Sequence, residues 1–168
     1  MMKIIKSKQD LSEDDNCDLY LIKSSEKEAR KIIASLKDRK NKIPVALVGG
    51  DDAFNRRAIE SLKIDYLVSP EAGIKKDGLK QRDSGLNHVV AKLAEEKGIE
   101  IVVDFDSLSK MSGKDKALRL ARIIQNVKIC RKAGCKIRIW GNVDDKALKS
   151  FGVGLGMNSK QSSEATLF

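Results

Sequence analysis

The 168-residue chain is 41% hydrophobic with a net charge of +9, enough apolar material for one domain spanning 1–168 to fold without disulfide or metal staples. Its three cysteines, an odd number with no CxxC pair, argue for reduced thiols that act as small hydrophobes, against a zinc site or a secreted framework. The opening MMKIIKSKQD lacks the apolar core of a signal peptide, and no uncharged run approaches the ~20 residues of a membrane span. A cytoplasmic protein without a membrane role is the expectation.

Short apolar runs recur along the chain: DLYLI (18–22), PVALV (44–48), DYLV (65–68), IEIVV (99–103) and KIRIW (136–140). Each predicts a strand. After the first, SSEKEARKIIASLKDRK opens on serines and a glutamate and spaces Ala29, Ile32, Ile33 and Leu36 as one helical face. GGDDAFNRRAIESLK predicts a helix capped by Asp51 or Asp52. GLNHVVAKLAEEKG predicts another, with Asp83 or Ser84 as cap, Leu86, Val89, Val90 and Leu93 as the buried face, and His88, Lys92 and Glu95 on another side. KDKALRLARIIQNVKICRKAG predicts the longest, and Gly98 and Gly134 close the last two where a helix end favours positive φ. Strand and helix alternate at least five times, which requires parallel strands with helical crossovers. Periodicity alone leaves an open doubly wound sheet and a barrel as equals.

The single histidine, His88, lies near Ser84, Asp83, Asp104 and Asp106. No nucleophile elbow surrounds the serine, and one histidine without an HxH or HExxH pair is poor metal-ligand spacing. GGDD (49–52) follows a strand as a phosphate-binding turn would, but its two aspartates would repel phosphate. The competing hydrolytic reading is a stand-alone metal-dependent phosphoesterase on Asp51, His88, Asp104 and Asp106.

The charge is more informative. Residues 107–150 contain twelve lysines and arginines against three aspartates, a net +9 that equals the excess of the whole chain. Such a block is the footprint of a polyanion. In the 116–132 helix, Leu120, Ile123, Ile124 and Val127 predict a buried stripe, flanked by Arg119 and Arg122 on one side and by Lys128 and Lys132 on the other. Aromatics make up only 4%, so phosphate and shape recognition of a structured RNA suits the chain better than base stacking. Arg122 and Lys132 are candidate RNA contacts on this ground.

Four stretches carry a family resemblance: GGDDAFNRRAIESLKIDYLVSP (49–70), RDSGLNHVVAKLAEEKGIEIVVDFDSL (82–108), the basic helix ending NVKICRKAGCKIRIW, and ALKSFGVGLGM (147–157). In this order they resemble ribonuclease P protein component 3, from about residue 18 to 157. The resemblance implies an α/β fold of TIM-barrel-like (β/α) type, irregular or incomplete in form. It implies a protein subunit of the ribonucleoprotein endonuclease that removes the 5′ leader of precursor tRNA, with catalysis by the RNA. No cofactor is implied in the chain itself, and the RNA subunit uses Mg²⁺. The implied partners are ribonuclease P RNA, ribonuclease P protein component 2, the other protein subunits and precursor tRNA. Carried over position by position, the RNA-binding residues are Arg56, Arg57, Arg82, His88, Lys97 and Lys146. Three features depart from the family pattern: an N-terminal strand reduced to MMKIIKSK, an expanded loop AGIKKDGLKQ (72–81) and a short tail. The loop offers Lys75, Lys76 or Lys80 as a substitute for a cation beside Arg82. A general RNA-binding module is the plainer alternative.

Overall fold

The computed structural model describes residues 1–12, 16–36, 43–74, 76–77 and 82–166. Six strands form one parallel sheet: β1 (Met2–Ile5), β2 (Leu19–Ile22), β3 (Val45–Val48), β4 (Tyr66–Val68), β5 (Glu100–Asp104) and β6 (Ile137–Trp140). Each strand pairs with its successor, from β1–β2 to β5–β6. The five apolar runs are five of these strands, and the reduced N-terminal segment supplies β1. β5 is enclosed on both faces, with Ile101, Val102 and Val103 all buried, so it reads as a continuous apolar run.

The helices are α1 (Glu26–Leu36), α2 (Asp52–Ser61), α3 (His88–Glu96), α4 (Phe105–Ser109), α5 (Gly113–Ala133), α6 (Asp145–Gly154) and α7 (Ser159–Ala165). Strands wound in chain order put their right-handed crossovers on one side of the sheet. The main core follows suit: Ile5, Ile22, Leu47, Leu67, Ile101 and Ile139 pack with Ile32, Ile59, Ala91 and Ile123 from the helices. The opposite face holds a second cluster, Ala46, Val68 and Val102, bordered by Leu19, Leu21, Tyr66 and Trp140. β1 and β6 do not pair with each other. The expected barrel is therefore an incomplete one, an open sheet with barrel-like winding. No helix among the described residues is long and apolar enough to cross a membrane.

Local chemistry sets the helix starts. Asp51 caps α2 by accepting from the Phe54 amide at 2.8 Å, as the GGDD turn predicts. α3 starts later than expected: Asn87 is its cap, accepting from Val90 N. Asp83 instead receives the Gly85 amide in a preceding turn, and Ser84 is buried. In consequence Val89 is 71% exposed and Val90, Ala91 and Ala94 form the inner face. Gly134 closes α5 with φ +79°, and Gly98 follows α3 with φ +69°.

Candidate nucleic-acid interface

Parallel strands deliver all their following loops to one end of the sheet, which is where α/β folds build their sites. A buried polar framework ties these loops together. Asn55, fully buried on α2, accepts from Gly50 N at 2.8 Å and donates to the carbonyls of Pro70 (2.9 Å) and Gly85 (3.0 Å). The close approach requires a glycine at 85: its φ is +76°, and a Cβ would stand 2.1 Å from the Pro70 oxygen.

α5 grips the same segment along its length. Arg119 donates to Glu71 (3.0 Å) and to the hydroxyls of Ser69 (3.0 Å) and Ser107 (2.8 Å). Arg122 donates to the Ile74 carbonyl (2.9 Å) and to Asp77 (3.0 Å). Gln125 and Asn126 bind the carbonyls of Arg82 and Ser84, each at 3.0 Å. Ser69, at the start of the gripped loop, is held at φ +51°, a left-handed conformation that the surrounding bonds must maintain. The buried side of α5 thus runs through Arg119, Arg122, Ile123, Asn126, Val127 and Cys130. This corrects the expected stripe: Leu120 and Ile124 are only partly buried, and the two arginines point inward.

Electrostatics follow from this arrangement. Burial pushes the Glu71 carboxyl up, with Arg119 opposing. The hydrogen bond from Arg122 holds the Asp77 carboxyl down. Asp52 is raised by burial and by contact with Asp83.

The predicted contact residues divide into two groups. Arg56 and Arg57 sit on α2, half or more exposed, paired with Glu60 and Glu26 at 2.7 Å each. Glu26 also holds Arg30, and the two arginines keep its carboxyl low. Arg82 is exposed in the loop before α3, His88 is exposed in the first turn of α3, and Lys146 is exposed in the first turn of α6. The topology brings these five to the loop end of the sheet. Lys132 is exposed near the far end of α5, toward the opposite end. Lys97 closes α3 and turns its ammonium onto the Ile59 and Glu60 carbonyls at the end of α2. Arg122 is 5% exposed and its donors are spent on the 74–77 segment. Lys97 and Arg122 are thus both engaged with backbone or carboxylate groups of neighbouring segments. Lys76 is exposed beside Asp52 and Asp83, whereas Lys75 and Lys80 lie outside the described residues.

The basic block separates by residue type. Its arginines are engaged: Arg119 and Arg122 as above, Arg131 with Gln161 and Gly156, Arg138 with Glu100. Lys136 shares Glu100. Lys110, Lys114, Lys116, Lys128, Lys132, Lys146 and Lys149 form no ion pair among the described residues, and five of these seven are exposed. A surface of unpaired lysines offers mobile point charges with no fixed fork geometry.

The phosphoesterase ligand set does not assemble. Asp51 caps α2, Asp104 caps α4 through the Ser107 amide, and both oxygens of Asp106 receive the Asn142 amide. Among the described residues no group of three or more His, Cys, Asp or Glu is placed to hold a metal ion. Sequence reasoning missed Asn55 and Asn126 and set Arg119 on the flank of its helix; their partners Pro70, Ser84 and Ser69 lie 15 to 50 residues away. The only local signal for the two on α5 is the 119, 122, 126 spacing on one helical face.

Sheet, framework and lysine surface together define a singly wound parallel α/β protein that carries a lysine-rich exterior. No protein-family model matches the chain. It is 28% identical to ribonuclease P protein component 3 of Methanococcus maripaludis S2 over 135 residues, 78% of this chain and 55% of the relative. With the same component of Methanococcoides burtonii identity is 33% over 115 residues, 68% and 43% of the two chains. A chain of the cryo-EM structure of archaeal ribonuclease P with mature tRNA superposes with a TM-score of 0.69 at 26% identity, covering 88% of this chain and 64% of that one. The chain is a homologue of ribonuclease P protein component 3. It spans about half the length of the curated relatives it matches.

Proposed function

We propose that this protein is a subunit of a ribonuclease P that binds and orients the catalytic RNA, so that it belongs to a tRNA 5′-processing endonuclease without performing the cleavage. The observation that carries this reading is the sorting of charge in the basic block: its arginines are engaged by partners within the chain, whereas seven of its lysines form no ion pair among the described residues. Counterion release by such a surface drives association with a phosphate backbone. At the loop end of the sheet, Arg82, His88 and Lys146 are placed to add directed contacts. Arg56 and Arg57 would exchange a carboxylate for a phosphate, keeping the forked hydrogen bonds an arginine makes to either. Phosphate contacts of this kind set register and orientation. Lys97 and Arg122 support the surface by holding the end of α2 and residues Ile74 and Asp77.

The partners in this reading are ribonuclease P RNA, ribonuclease P protein component 2, the remaining protein subunits and, for the assembled particle, precursor tRNA. Mg²⁺ serves the RNA, the chain itself carries no cofactor, and the complex works in the cytoplasm. The test is reconstitution with the RNA and the other proteins. Omitting this chain should lower processing of precursor tRNA, the chain alone should process none, and Arg82→Ala with Lys146→Ala should weaken the particle while circular dichroism is unchanged. Cleavage by the pure protein, lost on changing Asp104 or His88, would instead establish the phosphoesterase. Purification with an unrelated RNA would make it a general RNA-binding module.

A further inference from the structure

The three cysteines are unequal. Cys17 is half-buried near the N-terminus, whereas Cys130 and Cys135 are 0% and 6% exposed. The latter two occupy the closing turn of α5. The Cys135 amide donates to the Cys130 carbonyl at 3.0 Å and the Gly134 amide to Arg131, around a left-handed Gly134. This pair of hydrogen bonds is the Schellman arrangement, which sets the side chains of these two positions against each other at the helix end. The contact is usually between hydrophobes; here both positions are buried cysteines, and the Cys135 thiol lies 3.6 Å from the Ile99 and Lys136 carbonyls. Beside them lies a cavity of about 570 Å³, whose lining includes both cysteines together with Arg131, Lys136 and Arg138. Cys135 is the more open of the two, and the three cations of the lining outnumber its one carboxylate, Glu164, which favours an anionic reagent.

We propose that Cys130 and Cys135 are a paired modification site that closes to an intramolecular disulfide on meeting an anionic small-molecule disulfide such as oxidised glutathione. Cys135 is the entry sulfur. Its thiolate attacks the oxidant, breaking that S–S bond, forming a mixed disulfide and releasing one thiol that carries away the Cys135 proton. Cys130, set against it by the helix-closing turn, then attacks the Cys135 sulfur. The mixed S–S bond breaks, the Cys130–Cys135 bond forms, and the second thiol leaves with the Cys130 proton. Two electrons pass from the cysteine pair to the oxidant, which ends as two thiols. Position favours this order: Cys130 is sealed in the core at 0% exposure, and Cys135, at 6%, is the sulfur an oxidant meets first.

The sequence supplies a convenient readout. Arg131, Lys132 and Lys136 are tryptic sites that separate ICR (129–131) from AGCK (133–136). The full native chain is treated with oxidised glutathione, acid-quenched, alkylated and digested. The expected product is ICR linked to AGCK, about 2 Da lighter than the two reduced peptides together. It should form at the same rate in Cys17→Ser and lose its dominance when the chain is oxidised in urea. Cys130→Ser should stop at a glutathione adduct on Cys135, and Cys135→Ser should leave Cys130 unmodified. Recovery of both peptides alkylated, or linkage of either cysteine chiefly to Cys17, would overturn the proposal and leave an apolar capping contact.

Discussion

Replacing Arg119 by methionine tests the framework beneath the surface. The side chain is 9% exposed and its partner Glu71 1%, so the change leaves a carboxylate in the interior without its counter-ion and strips the Ser69 and Ser107 hydroxyls of a donor. Breaking a buried pair from one side costs about 3–5 kcal/mol, a large part of the ~5–15 kcal/mol that holds a typical domain together. Methionine fills similar volume, so the loss comes from charge more than from a cavity. Urea unfolding followed by circular dichroism at pH 7 should show it. Adding Glu71→Gln should recover more than about 1 kcal/mol relative to the sum of the single changes, since the pair is in direct contact. The pH dependence has a definite sign. Burial already holds the Glu71 carboxyl above its unfolded value of 4.5, and without Arg119 it rises further. The folded variant then binds a proton the unfolded chain releases, so the deficit is largest at neutral pH and shrinks as pH falls toward 4.5. A loss below about 1 kcal/mol, or a deficit independent of pH, would refute the assignment of Arg119 as the clamp.

Asp52→Asn should raise stability at pH 7 by a few tenths of a kcal/mol, the scale of an exposed like-charge contact. The gain should shrink as pH falls toward 3.8 and be absent below it, because the raised Asp52 carboxyl is a burden only when ionised. Asn55→Ala should cost about 2 kcal/mol or more, since it leaves a buried amide and the Pro70 and Gly85 carbonyls unpaired; a neutral result in thermal unfolding would remove Asn55 from the framework. Lys128→Ala with Lys132→Ala should lower the log–log salt slope of binding to ribonuclease P RNA by roughly 0.7–0.9 for each phosphate that is no longer neutralised, and an unchanged slope would mean these lysines face solvent only. Lys97→Met should lower the melting temperature without altering that slope, in keeping with its bonds to the α2 carbonyls.

The strands were legible because parallel neighbours bury both faces, and an apolar run such as IEIVV has no other stable place. The α2 cap was legible because the GGDD turn leads directly into its helix. The start of α3 was obscured by competition: Asp83, Ser84 and Asn87 are all capping residue types, and the turn at Gly85 sends the chain one step further before the helix begins. Hydrophobic periodicity misread α5 for a different reason. It scores an arginine as surface, yet Arg119 and Arg122 can occupy the buried side because Glu71 and Asp77 meet them there. Those partners belong to another βα unit, and a local window holds no information about them. The same blindness made Arg122 look available for RNA, although its donors are taken up by Ile74 and Asp77.

The order in which the chain is made gives the α5 clamp a kinetic meaning. Each strand finds its neighbour in the segment just before it, so the sheet can grow from β1 onward as residues emerge, with modest loop closures at every step. The loop after β4 cannot finish so early. Ser69, Glu71 and Asp77 wait for arginines 50, 48 and 45 residues downstream, and Arg82 and Ser84 wait for Gln125 and Asn126. Residues 69–74, 76–77 and 82–84 are thus the last part of the first four units to set, and the first released if α5 lifts away. In hydrogen exchange their amides should open as one unit with α5.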